Sequence, residues 1–347
     1  MRFIDTLARP AVEVVEFTDP TIINAGIELI EQDAVLLASN PLRVRRTIVR
    51  LEDAAVVFYS ANQRVRSKSS VRREFLAYVV FGPQVKGTMN GLPVDPGVML
   101  AAEPEAEARF VTEPGWQSII VMVHPRVFSE HLTARGSEGD FHAPCGVTTL
   151  KVDGGKVGEL FDWGKQLTDT AARQPTLFND RPEVRTAAQV ELFETLIATL
   201  RRTEDVDTTR SDRTRQSYSL MVKHVEDYAL AHVGEHLLVT DLCKVAAVSE
   251  RTLENAFKEI LGITPVAYLI RIRLHRVRQA LLAGSHGTTT VSTEALNWGF
   301  WHFGEFSRAY RECFGELPSD TLRRKPDVPP LMPGIRPALR TTLGQNP

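Results

Sequence analysis

Residues 242–265 read LCKVAAVSERTLENAFKEILGITP, and residues 295–318, which lie 53 positions further on, read ALNWGFWHFGEFSRAYRECFGELP. The two stretches share apolar, glycine and proline positions at constant spacing. The matched positions are Leu242, Val245, Ser249, Leu253, Phe257, Gly262 and Pro265 in the first stretch and Ala295, Trp298, His302, Phe306, Tyr310, Gly315 and Pro318 in the second. Each stretch predicts a short helix, a tight turn and a longer helix, the arrangement that places a helix in the major groove of DNA. The repeat makes double-stranded DNA the first partner to consider.

Local signals set the bounds of these helices. Thr240 is expected to cap the first short helix, and Ser249 the recognition helix that follows it. Gly262 suits the left-handed conformation at a helix end, and Pro265 suits the first turn of the next helix. The second unit is expected to begin at Thr293. The predicted helices are residues 218–232, 241–247, 250–261, 266–282 and 302–314.

The apolar stripe of each recognition helix determines which residues face outward. Arginine can bind guanine, asparagine can bind adenine, glutamate can accept from cytosine, and an aromatic ring can touch the thymine methyl group. We expect Arg251, Asn255 and Arg308 to read bases, and Lys258 and Arg311 to contact phosphates. The residues expected at DNA are Arg251, Glu254, Asn255, Lys258, Arg273, Phe303, Glu305, Ser307, Arg308 and Arg311.

The helix that joins the two units is rich in arginine. Within eight residues it carries Arg271, Arg273, Arg276 and Arg278. These side chains either form a solvated face or contact phosphates, and their position beside the two units favours phosphate contact for one or two of them. Residues 211–324 hold 14 basic and 13 acidic residues, a net charge of +1. A local patch, and not the total charge, must therefore supply affinity for DNA.

Size and composition limit the class of protein. A chain of 347 residues can form two domains, and its 43% hydrophobic and 24% charged residues are those of an ordinary globular protein with a net charge of −2. It lacks both an apolar run of about 20 residues, which would cross a membrane, and the apolar segment of a signal peptide. Three separated cysteines indicate no disulfide framework and no zinc site. We expect a cytoplasmic protein.

The first 150 residues predict an antiparallel sandwich or small barrel. Short β-type runs alternate with turn signals there. Residues 87–100 resemble a hairpin, with Asn90 and Gly91 in a turn that needs positive φ. The predicted strands are residues 44–49, 55–60, 75–81, 98–101 and 118–123.

Helical segments follow the β-rich part. They are expected over residues 127–132, 156–172 and 182–202. The apolar stripe of the last segment either packs on its own domain or forms a subunit interface, and both can hold. That stripe consists of Val184, Ala187, Val190, Leu192, Phe193, Leu196 and Leu200.

Composition also suggests the domain boundaries. The polar stretch 203–215 is expected to be a flexible linker, and the Pro-rich stretch 325–347 an extended tail. The predicted organisation is an α+β multidomain chain. Its parts are a β-rich sensor and dimerisation domain over 1–202, the linker, an all-α DNA-binding domain over 216–324 and the tail.

Residues 247–282 and 295–324 resemble the DNA-binding domain of the AraC/XylS transcription regulators. The second run carries the more specific signal, with Gly-Phe, Phe-Ser-Arg, Tyr-Arg, Phe-Gly and Pro in order. The resemblance covers residues 217–324 and implies seven helices, with two helix-turn-helix units that read major-groove segments about 34 Å apart. Asn255 stands where many relatives have arginine, and Gly304 offers no side chain at a position expected to face the groove.

The first half of the chain is similar in layout to the cupin-like sensor domains of such regulators. That similarity implies a small-molecule effector and a homodimer. The family resemblance as a whole implies a transcription activator that works with RNA polymerase.

An enzymatic role for the N-terminal domain is not expected. A metal-dependent cupin needs clustered histidines, whereas residues 1–150 hold only His124, His131 and His142. No phosphate-binding loop or nucleophile motif is present, so no catalytic residue, metal or cofactor is assigned. A basic tract is present instead, and it is either solvent-facing or supplies one or two ligands to an anionic effector such as a carboxylate. Its members are Arg43, Arg45, Arg46, Arg50, Arg64, Arg66, Lys68, Arg72 and Arg73.

The leading hypothesis is a ligand-responsive, sequence-specific transcription regulator. Two alternatives stay open. One is a constitutive dimeric DNA-binding protein whose N-terminal domain is purely structural. The other is a sensor domain that turns over its own effector.

Overall fold

The computed structural model describes residues 10–19, 29–39, 41–136, 144–201, 203–205, 209–232, 237–284 and 289–324. An antiparallel β-rich part comes first and a helical part follows, so the predicted α+β class is confirmed. In the described residues, no helix combines the length and apolarity needed to cross a membrane. The predicted tail at 325–347 and His142 lie outside the described residues.

The strands form two antiparallel sheets. The first sheet has eight strands in the order β1-β3-β4-β11-β6-β9-β12-β13, and the second has five in the order β2-β5-β10-β7-β8. The strands are β1 (Val12–Phe17), β2 (Ile30–Leu36), β3 (Val44–Arg50), β4 (Ala54–Ala61), β5 (Val65–Val71), β6 (Leu76–Phe81), β7 (Gly87–Met89), β8 (Leu92–Pro93), β9 (Val98–Ala102), β10 (Glu107–Thr112), β11 (Trp116–Val123), β12 (Val147–Val152) and β13 (Thr203–Asp205). All five strands predicted from apolar runs are confirmed.

The eight-stranded sheet is buried on both faces. Along β4, Val57 packs toward the five-stranded sheet, whereas Val56 and Phe58 pack toward helices on the opposite face. This alternation is the two-residue period of a strand. The hairpin between β7 and β8 is also confirmed, since Asn90 and Gly91 have φ of 47° and 84°.

Four helices accompany the N-terminal sheets, namely α1 (Pro125–Ala134), α2 (Gly154–Arg173), α3 (Pro175–Asn179) and α4 (Pro182–Leu200). They cover the outer face of the eight-stranded sheet in one apolar cluster. Most of the α4 stripe packs there, with Leu192 and Leu196 fully buried. Val190, by contrast, is 47% exposed. The own-domain interpretation of the stripe therefore holds for its central leucines.

The helical part has seven described helices, the number that the family resemblance implies. They are α5 (Arg210–Ala231), α6 (Val239–Ala246), α7 (Glu250–Leu261), α8 (Pro265–Ala283), α9 (Val291–Asn297), α10 (Phe303–Phe314) and α11 (Pro318–Arg323). We call α6 with α7 the first helix pair and α9 with α10 the second helix pair. Helix α8 joins them, with Leu269 in the core of the first pair and Val277 in the core of the second.

The prediction of a flexible linker at 203–215 is wrong for its described residues. Residues 203–205 form β13, which pairs with β12. Helix α5 begins at Arg210, because Thr209 and Asp212 cap each other: the Asp212 amide donates to Thr209 Oγ1 at 3.1 Å and the Thr209 amide to Asp212 Oδ2 at 2.9 Å. A polar composition is equally suited to a capped helix start.

Two predicted helix starts are also wrong. Helix α6 begins at Val239, so Thr240 lies inside it, and the backbone amide of Leu238 donates to Asp241. Helix α9 begins at Val291 and not at Thr293, because Thr290 caps it by accepting from the Thr293 amide at 3.1 Å. In the first stretch Leu238 occupies the cap position, and in the second the repeat spacing selected Thr293 in place of the nearby Thr290.

Candidate nucleic-acid interface

Helix α7 is built as the sequence predicts. Ser249 caps it by accepting a hydrogen bond from the Thr252 amide at 3.3 Å. Leu253 and Phe257 are fully buried, and Gly262 ends the helix with φ of 71°. The apolar side is thus fixed in the core, and the opposite side of the helix faces solvent.

The solvent face of α7 carries the residues expected at DNA. Arg251, Asn255 and Lys258 are exposed. Glu254 is half-buried and lies 3.6 Å from the Lys258 ammonium group. This face presents guanidinium, amide and carboxylate groups, which are the groups that discriminate bases in the major groove.

Helix α10 repeats the arrangement with different chemistry. Phe306 and Tyr310 are buried, and Gly315 has φ of 75°. The predicted DNA-facing residues are exposed apart from Ser307, which is half-buried; the exposed ones are Phe303, Glu305, Arg308 and Arg311. Gly304 is exposed, with no atom within 4 Å of the place where a Cβ would stand. This end of the helix therefore leaves room for close approach to a ligand.

An aromatic group precedes α10. Trp301 is 63% exposed and Phe303 is 43% exposed. Large apolar side chains usually avoid water, and exposed ones can mark contact surfaces. The corresponding residues of the first pair are Val248, which is half-buried, and Glu250, which is exposed and charged. The two helix pairs therefore present different surfaces at the start of their recognition helices.

The arginines of α8 are not arranged as the sequence suggested. Arg271 donates to the Leu36 carbonyl at 3.2 Å, and Arg276 donates to Asp33 Oδ1 at 3.2 Å. Arg278 is only 3% exposed. Arg273 is half-buried, and desolvation lowers its pKa. Arg271, Arg276 and Arg278 are thus held by other protein groups in this arrangement, and phosphate contact by one or two arginines of α8 stays a prediction.

Arg278 is the centre of a buried ionic cluster. Its Nε donates to Asp19 Oδ1 at 3.0 Å, and its Nη1 donates to Glu316 Oε1 at 2.7 Å, to Thr321 Oγ1 at 3.2 Å and to the Tyr310 hydroxyl at 3.3 Å. Burial lowers the pKa of Arg278, but the hydrogen bond to Asp19 and the surrounding charges outweigh it and raise the pKa. The cluster joins the N-terminal part to α10 and α11.

A second buried ionic cluster lies between the five-stranded sheet and the first helix pair. Glu226 of α5 accepts from the Tyr268 hydroxyl and lies 3.5 Å from Arg66 Nη2 and 3.7 Å from Arg109 Nε. Sequence reasoning missed this cluster. A signal exists, because Glu226 falls on the apolar face of α5, four residues after Val222.

The basic tract of the N-terminal domain divides into two groups. Arg46, Arg50 and Arg66 are buried, whereas Arg43 and Arg72 are exposed. Arg46 lies between the sheets, beside Tyr59 in register and with its guanidinium carbon 5.7 Å from the centroid of the Phe17 ring. Desolvation lowers the pKa of Arg46. Among the described residues, no group of three His, Cys, Asp or Glu side chains is placed to hold a metal ion.

Comparisons with known proteins find relatives of this chain. A family model described as a helix-turn-helix domain matches residues 242–324. The probable thc operon regulatory protein of Rhodococcus erythropolis is 36% identical over 106 residues. The XylDLEGF operon transcriptional activator 3 of Pseudomonas putida is 35% identical over 109 residues. These alignments cover 30% and 31% of this chain, and the chain spans 32% of the length of each of these two relatives.

A solved structure is also similar in sequence. A probable AraC family transcriptional regulator from Rhodopseudomonas palustris is 36% identical, with 30% of this chain and 96% of that chain covered and a TM-score of 0.29. Residues 242–324, which the family model matches, begin within α6 and include α7, α8, α9 and α10. By its helix-turn-helix domain and its relation to the xyl operon activators, the chain belongs to the AraC/XylS family of transcription regulators.

Proposed function

We propose that this chain is a small-molecule-responsive transcription regulator that reads promoter DNA with two helix-turn-helix units, the first and second helix pairs. The observation that best supports this proposal is that α7 and α10 are each held in place by a stripe of buried apolar residues while they present polar side chains to solvent. A helix held in this way fits a major groove of about 12 Å width. Two such helices on one chain suit two groove segments about one helical turn apart.

Individual contacts are proposed for the exposed residues of the two helices. Arg251 and Asn255 of α7 and Arg308 of α10 read base edges in this proposal. Lys258 and Arg311 contact phosphates. Glu254 and Glu305 accept from cytosine or repel misplaced phosphates, which increases selectivity at a cost in affinity.

Two of the predicted contact residues have supporting roles. Phe303 touches a thymine methyl group, and Ser307 donates from the half-buried edge of α10. Arg273 of α8 is also proposed as a phosphate contact, because it is half-buried on the helix that joins the two helix pairs.

The N-terminal part is proposed to be a cupin-like sensor domain. Arg46 of the basic tract lies between the two sheets, with its guanidinium carbon 5.7 Å from the centroid of the Phe17 ring. Arg46 is 2% exposed there, and Arg–carboxylate pairs are strong and geometrically specific. We therefore propose a small carboxylate as the effector, bound by one or two arginines of the basic tract, with Arg46 as the first candidate.

The proposal includes activation of transcription by a homodimer. Relatives named as transcriptional activators support activation, with RNA polymerase as the further partner. Val190 and its neighbour Ala187, both exposed on α4, mark the side of that helix available to a second copy of the chain. Sedimentation of the wild type and of Val190→Glu tests the dimer. The wild type is expected to sediment as a dimer, and the variant is expected to shift toward the monomer.

DNA recognition is tested by selection. Purified full-length protein is mixed with genomic fragments, and the retained fragments are sequenced for the wild type, for Arg308→Ala and for Arg126→Ala. Arg126 is a matched control, because its side chain is 81% exposed on α1. The expected result is one shared motif of two elements that Arg308→Ala loses and Arg126→Ala keeps. Retention without a motif contradicts the proposal.

Effector binding is tested by thermal stabilisation. A panel of small carboxylates is compared with the corresponding neutral amides, for the wild type and for Arg46→Gln. Stabilisation by a carboxylate but not by its amide, and its loss in Arg46→Gln, is the expected outcome. A panel without effect favours the alternative in which the N-terminal domain is only structural, whereas consumption of a stabilising compound indicates a catalytic sensor.

A further inference from the structure

The N-terminal domain holds helix α8 at successive positions. The Leu36 carbonyl accepts from Arg271, and the Leu36 amide donates to His275 Nε2 at 3.0 Å. Asp33 binds Arg276, and Asp19 binds Arg278. These contacts extend over two turns of the helix that joins the two helix pairs. Strand β2 and Asp19, which follows β1, therefore determine how α8 is placed.

The contacts continue beyond α8 into the second helix pair. Arg278 donates to Glu316 and Tyr310 while it binds Asp19, and its guanidinium carbon lies 4.6 Å from the centroid of the Phe314 ring. Asp19 is thus linked to α10 through a single side chain. Ionic hydrogen bonds are directional, so this cluster fixes orientation as well as contact.

The first helix pair has its own attachment to the same sheet. Glu226, Arg66 and Arg109 form the ionic part of it. Val35 and Val111, which flank Arg66 across the sheet, form the apolar part and share a core with α5, α7 and α8. Two separate anchors on one domain therefore hold the two helix pairs.

The outward faces of α7 and α10 stay open in this arrangement. Arg251, Asn255 and Arg308 are exposed although the N-terminal domain is docked. The domain thus does not act by covering these residues. Its contacts bear instead on the relative placement of the two recognition helices.

We propose that the N-terminal domain sets the spacing of DNA elements that the chain accepts, with Asp19 as the positioning residue for the second helix pair. This inference rests on the proposed function, because it requires DNA with two elements. Each inserted base pair shifts one element by about 3.4 Å and turns it by about 34° relative to the other. A pair of recognition helices fixed by two anchors can follow only one spacing.

The test uses full-length protein and the two-element DNA obtained by selection, with zero, one or two base pairs inserted between the elements. The wild type is expected to lose about tenfold in affinity, or more, for each inserted base pair. Asp19→Asn keeps the side-chain size but removes the charge. It is expected to bind all three DNAs within about threefold of one another, with weaker binding to the original spacing than the wild type shows.

Further variants distinguish positioning from loss of structure. If Asp19→Asn fails to fold, Asp33→Asn takes its place. It alters a more exposed ion pair, with the Asp33 side chain 36% exposed, and is expected to give the same flattened profile. Asp19→Glu should restore a steep profile, and Glu130→Gln, at an exposed ion pair on α1, should leave it unchanged.

Three outcomes decide the matter. A flattened profile in Asp19→Asn or Asp33→Asn, with normal thermal unfolding, supports the inference. A steep profile in both folded variants overturns it and leaves the proposed function intact. A wild type that binds one element alone as tightly as two overturns the proposed function and this inference with it.

Discussion

The first helix pair shares an apolar core with the five-stranded sheet, whereas the second helix pair reaches the N-terminal domain through the ionic cluster around Arg278. Val35, Leu37 and Val111 of the sheet side lie in the core of the first pair. The apolar core of the second pair contains no described residue from the sheets. Apolar burial is non-directional and tolerates small shifts, while a buried ion pair loses much of its energy when one partner moves. The placement of the second pair therefore depends on fewer residues.

The largest expected effects come from deleting the central aromatic residue of each pair. Phe257→Ala and Tyr310→Ala should each lower the free energy of unfolding by about 3–5 kcal/mol, because both side chains are fully buried. Denaturant unfolding of the full chain measures this. Tyr310→Phe sharpens the comparison, since it removes only the hydroxyl that Arg278 and Thr321 contact, and should cost about 1–3 kcal/mol. Near-neutral stability of either alanine variant contradicts the assigned cores.

Removing one base contact from each pair should weaken specific DNA binding. Asn255→Ala and Arg308→Ala should each cost about 1–3 kcal/mol on the selected DNA, and each should relax specificity in a different element. Binding titrations on selected and scrambled DNA provide the measurement. Equal losses on both DNAs reassign the residue to phosphate contact.

Acid should weaken the attachment of α8. Burial, together with the charges of Arg276 and Arg278, lowers the pKa of His275 to about 3, although the Asp19 carboxylate acts to raise it. The His275 ring also packs against Phe314. The unfolded chain, with a histidine pKa near 6.5, binds the proton more tightly than the folded chain. The contribution of the neutral His275 ring to the free energy of unfolding is therefore fully present above about pH 6.5, and it is lost as the pH falls toward 3.

The matched variant for this effect is His275→Gln, which can still accept from the Leu36 amide but does not titrate. Between pH 7 and pH 5 the wild type should lose about 2 kcal/mol more than the variant in the free energy of unfolding. Equal losses in the two proteins rule out His275 as the source of the pH dependence.

The smallest expected effects concern the salt dependence of DNA binding. Arg311→Ala should reduce the slope of log K against log salt concentration by about 1, as expected for one lost phosphate contact. Lys258→Ala should reduce it less, because Glu254 lies 3.6 Å from the Lys258 ammonium group and already offsets part of its charge. Titration at several salt concentrations gives both slopes, and an unchanged slope in Arg311→Ala removes that residue from the interface.

Local chemistry predicted much of the helical part. Gly262 and Gly315 have the left-handed conformation expected at helix ends, and Pro265 and Pro318 stand in the first turns of α8 and α11. These signals depend only on residues that are close together in the chain, so they can be recognised in a single sequence. The exposed faces of α7 and α10 followed from the same periodicity.

Contacts between distant residues could not be predicted in this way. Asp19 lies 259 positions before Arg278, and no local pattern indicates that the two meet. Phosphate contact was therefore expected for one or two of the arginines of α8, since the sequence does not show their carboxylate partners. The sequence signals also missed β5 and β10, because charged residues within these strands, such as Lys68 and Arg109, interrupt the apolar pattern.

The most direct test of the account is a footprint of the full-length protein on one selected DNA fragment, with the wild type, Asn255→Ala and Arg308→Ala compared. The account predicts two protected stretches about one helical turn apart on one face of the duplex, of which Asn255→Ala weakens one and Arg308→Ala the other. A single protected stretch, or loss of the same stretch in both variants, would contradict recognition by two helix pairs.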